Sequence, residues 1–213
     1  PQPNDQASLR KFAYYTFSAK DYPRTLKVFQ SLEAPTDEDL FHMALASVRS
    51  GDYDGSADYY TQILEQFPAS KRADTASFKL GYLEYDLGNL EEALPLFSAH
   101  LERFPKSRHA DESRYFMGWS LTKLERYDEA QKAFTLVQTL HSKSSLAAGA
   151  AFWHAVIQEE AGLTEKSKES FEYVLKVFNI ISWFLTFITI LLQFVSVPLA
   201  HTNLPKSSAK RSN

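Results

Sequence analysis

The chain has 213 residues, 44% hydrophobic and 23% charged with only 7 glycines, room for one elongated repeat domain or one to two compact ones and a composition that favours helix over sheet. Of its 23 basic residues, Lys206, Lys210 and Arg211 stand in a tail without acids, so the body before them, with 26 acidic residues, lacks the basic stripe that nucleic-acid phosphates require. It contains no cysteine, which excludes disulfides, thiolate metal sites and cysteine nucleophiles.

The first residue is Pro1, not Met, so a processed product or a fragment is expected, and residues 1–6 read as an N-terminal extension. From residue 7 the chain repeats itself. Turn signals stand at Lys20-Asp21-Tyr22, Gly51-Asp52-Tyr53, Gly88-Asn89-Leu90, Glu125-Arg126-Tyr127 and Gly162-Leu163-Thr164; the first two are 31 residues apart and the others follow at 37. Seven residues before the first residue of each turn comes a small one: Ala13, Ala44, Gly81, Gly118 and Ala155. Five after it comes another: Thr25, Ser56, Ala93, Ala130 and Ser167. Nine after it comes an aromatic: Phe29, Tyr60, Phe97, Phe134 and Phe171.

Two antiparallel helices joined by a short turn approach closely only where neither carries bulk. A small residue on the first helix (helix A) is therefore expected to face a small one on the second (helix B), with the aromatic filling the gap toward the next unit. Helix B shows apolar spacings of three and four, as in Ala93, Leu96, Phe97 and Leu101 or Ala130, Ala133, Phe134 and Val137. It stops at Phe67-Pro68 and Phe104-Pro105, because proline cannot continue a helix, and Ser70 and Ser107 are placed to cap the next helix A. No stretch in 1–178 alternates like a strand. The fold class read from these patterns is all-α, with five helix-turn-helix units over residues 7–178.

The register holds through Phe178 and is then lost; a sixth unit would need a small residue where Leu192 stands. From Val177 to Ala200 the chain carries no charge, and about 20 apolar residues are enough to cross a bilayer as a helix. Three readings of the hydrophobic segment 179–200 follow: a membrane anchor, a disrupted sixth unit after a frame change or truncation past Asn179, or a buried capping helix. As an anchor, with the basic tail 201–213 on the cytoplasmic side, it would put the repeats outside the cytoplasm or in the periplasm.

No two of the six histidines stand four apart and none lies in a His-Glu-x-x-His run, so no metal site is expected. His100 shares a column with Ile63, Val137 and Val174, and His154 one with Leu80 and Met117, so both read as packing residues. A nucleophile elbow, a phosphate loop and a dinucleotide fingerprint are all missing. Acidic pairs such as Glu91-Glu92 and Glu159-Glu160 read as solvated helix faces. No cofactor, small-molecule substrate or enzymatic activity is expected.

Small, small, aromatic and proline at these offsets resemble the tetratricopeptide repeat, over roughly residues 7–178. The 37-residue unit, with its Phe-Pro-x-Ser-x-x-Ala joint (Phe67 to Ala73, Phe104 to Ala110), is similar to repeats of bacterial envelope proteins: the barrel-assembly lipoprotein, the Tol-associated periplasmic repeat protein and the helical N-terminal region of soluble lytic transglycosylases. The resemblance implies a right-handed superhelix whose helices A line a concave groove for a protein or peptide. By position, that groove would hold Phe78, Tyr82, Tyr85 and Asp86, then Tyr115, Trp119, Thr122 and Lys123, then Phe152, Val156, Glu159 and Glu160, with Trp119 and Tyr82 as anchors. It further implies a cell-envelope adaptor or, alternatively, the non-catalytic helical part of a larger cell-wall enzyme. A tail-anchored co-chaperone adaptor is the third reading.

Overall fold

The computed structural model describes residues 5–140 and 146–177. These form ten helices and, among the described residues, no strand: α1 (Gln6–Ser18), α2 (Tyr22–Gln30), α3 (Asp37–Arg49), α4 (Tyr53–Gln66), α5 (Lys71–Leu87), α6 (Leu90–Arg103), α7 (Ala110–Lys123), α8 (Tyr127–Leu140), α9 (Leu146–Glu160) and α10 (Thr164–Val177). The chain divides into two compact units, 1–171 and 172–213; of the second, only the last residues of α10 fall in the described range. The hydrophobic segment 179–200 and the basic tail lie outside the described residues, and among those described no helix is long and apolar enough to cross a membrane.

Each of the five expected turns is a left-handed helix end. Lys20, Gly51, Gly88, Glu125 and Gly162 have φ of 61°, 80°, 84°, 60° and 73°. The residue after each donates its amide back to the helix: Asp21 to Thr16, Asp52 to Ser47, Asn89 to Glu84, Arg126 to Leu121 and Leu163 to Gln158. This six-to-one bond satisfies a terminal carbonyl and reverses the chain within two residues. Glycine suits the position because it has no Cβ to strain; Lys20 and Glu125 hold it against that strain. Helix B then starts at once, with Asp21 and Asp52 accepting from the amides of Arg24 and Gly55.

Within the first unit the solenoid is built by each helix packing on its neighbour from α1 to α9, while successive helices A also touch: α1 with α3, α3 with α5, α5 with α7, α7 with α9. All ten small residues of the two columns are buried, as are Phe29, Tyr60, Phe97 and Phe134. The glycines refine the expected packing. A Cβ on Gly81 would lie 2.8 Å from the Phe97 ring, and one on Gly118 2.7 Å from the Phe134 ring. The aromatic of helix B thus seats in the notch left by the small residue of its own helix A. Phe97 also reaches forward, stacking on Phe116 of the next unit at 6.2 Å. At the paired crossing, the Thr25 hydroxyl donates to Thr16 in the first unit.

Candidate functional site

The faces of helices A that meet each other carry a ladder of rings. A ring six residues before one turn meets a ring nine before the next: Tyr14 and His42 at 4.8 Å, Tyr82 and Phe116 at 5.0 Å, Trp119 and Trp153 at 4.4 Å between centroids. Phe17 joins His42 at 5.0 Å and Tyr85 joins Phe116 at 4.9 Å. At the second junction Leu45 and Lys79 occupy the two places. The Lys79 ammonium lies 5.1 Å from the Tyr82 ring and 5.6 Å from Phe78, within cation–π range; Lys123 stands 5.3 Å from the Trp119 ring.

The expected groove residues divide into three groups. Tyr82, Tyr85, Trp119, Thr122, Phe152 and Val156 are half-buried, while Asp86, Lys123, Glu159 and Glu160 are exposed. Phe78 and Tyr115 are core residues, exposed by 3% and 9%, and do not line a groove. Phe78 lies flat on His109 at 4.7 Å, and Tyr115 packs edge-on against Phe134 while accepting from Trp119 Nε1 at 3.3 Å. The column does not decide this by itself, since Phe41 and Phe152, also ten before their turns, are half-buried; what the neighbouring unit places opposite the ring does. Tyr82 and Trp119 stand where expected, yet each also spends a ring contact on the next unit. Phe116, Lys79 and Trp153 leave no signal in the sequence, because their column, nine before the turn, runs Lys11, His42, Lys79, Phe116, Trp153 and has no common chemistry. Burial pushes the Tyr85 phenol up to about 12 and raises those of Tyr82 and Tyr115, so all three remain neutral hydroxyls at physiological pH.

A second ladder is polar and runs along the starts of helices A. Ser70 caps α5 by accepting from the Arg72 amide and donates to Asp37 of the previous unit at 2.5 Å. One repeat later Ser107 accepts from the His109 amide and donates to Asp74 at 2.5 Å. Asp74 also accepts from His100 Nε2 at 2.9 Å, and Ser113 donates to His100 Nδ1 at 2.8 Å, which fixes the neutral tautomer. Burial holds this imidazole below its ordinary pKa, with Asp74 pulling the other way. Ser113, His100 and Asp74 therefore line up like a hydrolase's nucleophile, base and acid, but Ser113 and His100 are 0% exposed and no substrate atom reaches the serine oxygen. A cleft of about 580 Å³ beside this ladder is lined by both signs of charge: Asp37, Glu38 and Asp74 against Lys71, Arg72 and Arg108. Among the described residues no three metal-ligating side chains converge.

Paired helices stacked on left-handed turns, with one helix of each pair facing its successors, define an α-solenoid of short repeats. Two family models, both described as tetratricopeptide repeat, match residues 41–108 and 111–142. Over residues 41–108 and 111–142 the chain carries tetratricopeptide repeats. Its fold is similar to solved structures of MamA. These include MamA AMB-1 (19% identity, 80% of this chain and 90% of that one, TM-score 0.62) and MamA 41-end from Desulfovibrio magneticus RS-1 (16%, 83% and 96%, 0.63). A further MamA crystal structure matches at 11% identity over 80% of this chain and 90% of that one, with TM-score 0.65. At such identities the likeness carries the fold alone. No curated protein matches the sequence.

Proposed function

We propose that this chain is a non-catalytic adaptor of the bacterial cell envelope that binds a protein or peptide along the face of its helices A. The observation that carries this reading is the half-buried patch of Tyr82 and Tyr85 with the Lys79 ammonium over the Tyr82 ring. Rings fixed by their neighbours offer contact area at little entropic cost, and the ammonium adds a site for a carboxylate or carbonyl. The 37-residue unit with its Phe-Pro-x-Ser joint supports the envelope placement.

The test is affinity capture with mass spectrometry on the full chain and on Lys79→Glu and Tyr85→Ala variants, with circular dichroism confirming that each stays helical. Loss of the same captured proteins from both folded variants is the expected result. An unchanged capture profile from folded variants would overturn the A-face assignment. Fractionation of the native host tests the compartment separately: recovery in the cytosol would overturn the envelope placement and leave the binding face standing.

A further inference from the structure

One buried column changes character at a single unit. Twelve residues after the first residue of the turn stand Leu32, Ile63 and Val137, all buried, and among them His100, which is 0% exposed. The joints after the second and third units share one build, 37 residues apart. Phe67-Pro68 becomes Phe104-Pro105, and Ser70 donating to Asp37 becomes Ser107 donating to Asp74. The loop bonds repeat too: the amides of Ser70 and Ala73 donate to Phe67 and Ser70, and those of Ser107 and Ala110 to Phe104 and Ser107. Of the two, only the later joint inserts an imidazole, with Ser113 beside it where the earlier one has the buried Ala76.

We propose that the joint between the third and fourth units is an acid-opened hinge, in which proton uptake by His100 frees the start of α7 from α5 and α6. Both ring nitrogens are taken in the closed joint: Nε2 donates to Asp74 at 2.9 Å and Nδ1 accepts from Ser113 at 2.8 Å. A second ring proton would meet the Ser113 hydroxyl proton, so the serine must turn and the imidazolium must stay dry. Helix α6 packs against α5 and α7. The charged or titratable groups facing the imidazole from them are Asp74 on α5, with His109 and Arg114 at the start of α7. On α6 itself Arg103 donates instead to the Leu64 carbonyl. Burial, helped by the two basic groups, opposes the proton and prevails over the pull of Asp74. In the open joint the ring reaches water and takes the proton at its ordinary value. Acid therefore draws the joint open, by about tenfold in population per pH unit at most for one proton. The contacts that part join α5 to α7 and the residues just before it: Ser107 with Asp74, His109 flat on Phe78, and Phe116 against Tyr82. The device stands on the fold alone and holds whether or not a partner binds the face of helices A.

Hydrogen exchange read by mass spectrometry on the full chain, at about pH 7.5 and about pH 5.5 and corrected for the intrinsic pH dependence of amide exchange, tests both joints at once. Peptides over 100–116 should lose protection roughly fivefold or more on acidification, and those over 63–79 should keep theirs. No loss at 100–116, or an equal loss at 63–79, would overturn the proposal. The double substitution His100→Ile/Ser113→Ala gives the later joint the residues of the earlier one, Ile63 and Ala76, which are buried in the same places. It should leave circular dichroism unchanged and abolish the difference between the joints. His109→Arg, which copies Arg72, removes the other histidine of the joint and should preserve the difference. A difference that survives the first variant or vanishes in the second belongs to His109, and the assignment of the hinge to His100 then falls.

Discussion

The first junction between units and the two after it meet the same requirement with different chemistry. Between the first and second units, Asp39 is wholly buried at the start of α3. It accepts from Arg10 Nε at 2.8 Å, from the Tyr14 hydroxyl at 2.8 Å and from the Thr36 amide at 2.9 Å, while Thr36 caps Asp39 in return. Between the second and third, and the third and fourth, a neutral serine hydroxyl, that of Ser70 at the cap of α5 and of Ser107 three residues before α7, donates to the aspartate of the previous helix A. The joint differs to match: Ala34-Pro35-Thr36 follows the 9-residue α2, whereas Phe-Pro-x-Ser follows 14-residue helices B. A charge hub holds the end of the solenoid and a serine clip holds its middle, so the two regions should respond differently to mutation and to acid.

Removing the hub is the harshest way to break that contrast. Asp39→Ala strands a guanidinium and a phenol and deletes a capping box, and is expected to cost about 3 kcal/mol in urea unfolding. A smaller loss would mean that water replaces the carboxylate. The pH dependence separates the regions further. Burial alone would raise Asp39, but its hydrogen bonds from Thr36, Arg10 and Tyr14 prevail and hold it below the ordinary carboxylate value. Its stabilisation is therefore complete above the unfolded-state pKa and is lost as pH falls through the lowered folded value. His100 has the opposite charge type but the same sense. Its folded pKa is depressed, so stability is undiminished above about 6.5 and declines below it, as the unfolded chain takes up a proton that the fold resists. A urea midpoint measured against pH should show two declines. His100→Gln should shrink the upper one, leaving the part that half-buried His154, also held below its ordinary value by burial, contributes; Asp39→Ala should shrink the lower.

Gly81→Ala tests the notch that both regions share in different forms. Ala13 and Ala44 carry a Cβ in the first two units, while Gly81 and Gly118 accept a ring in that space. Overpacking against the buried Phe97 should outweigh the gain of about 1 kcal/mol in helix propensity, for a net loss of roughly 1–2 kcal/mol. Phe97→Leu in the same chain should be less harmful than in the parent, a coupling that a double-mutant cycle reads directly. Ser107→Ala opens one clip and the bond from the His109 amide just before α7, and should cost about 1 kcal/mol, well below the hub. Smallest is a gain: Glu125→Gly relieves a left-handed residue and should raise stability by about 0.5–1 kcal/mol, whereas Gly88→Ala at the matching turn should lower it.

The repeats were legible because backbone geometry dictates residue size at fixed offsets. A left-handed turn, a close helix crossing and a ring a turn later each leave a column of similar side chains, and five copies make the columns visible. The proposed binding face was only partly legible. Tyr82, Tyr85 and Trp119 are half-buried on helices A, whereas Phe78 and Tyr115 are core residues; Phe152, in the same column as those two, is half-buried, so the neighbouring unit and not the offset from the turn decides. The Ser–Asp clips were half legible: Ser70 caps α5 as expected, Ser107 does not cap α7, which starts after His109, and a partner 33 residues back leaves no local signature.

By its own order of residues the chain determined that it is helical, how many units it has and where each one turns, because these depend on contacts within about twenty residues of each turn. Only the tertiary structure decided which rings are core and that His100 sits neutral between Asp74 and Ser113. Those outcomes depend on what the neighbouring unit places opposite a side chain, and sequence spacing within one unit does not record it.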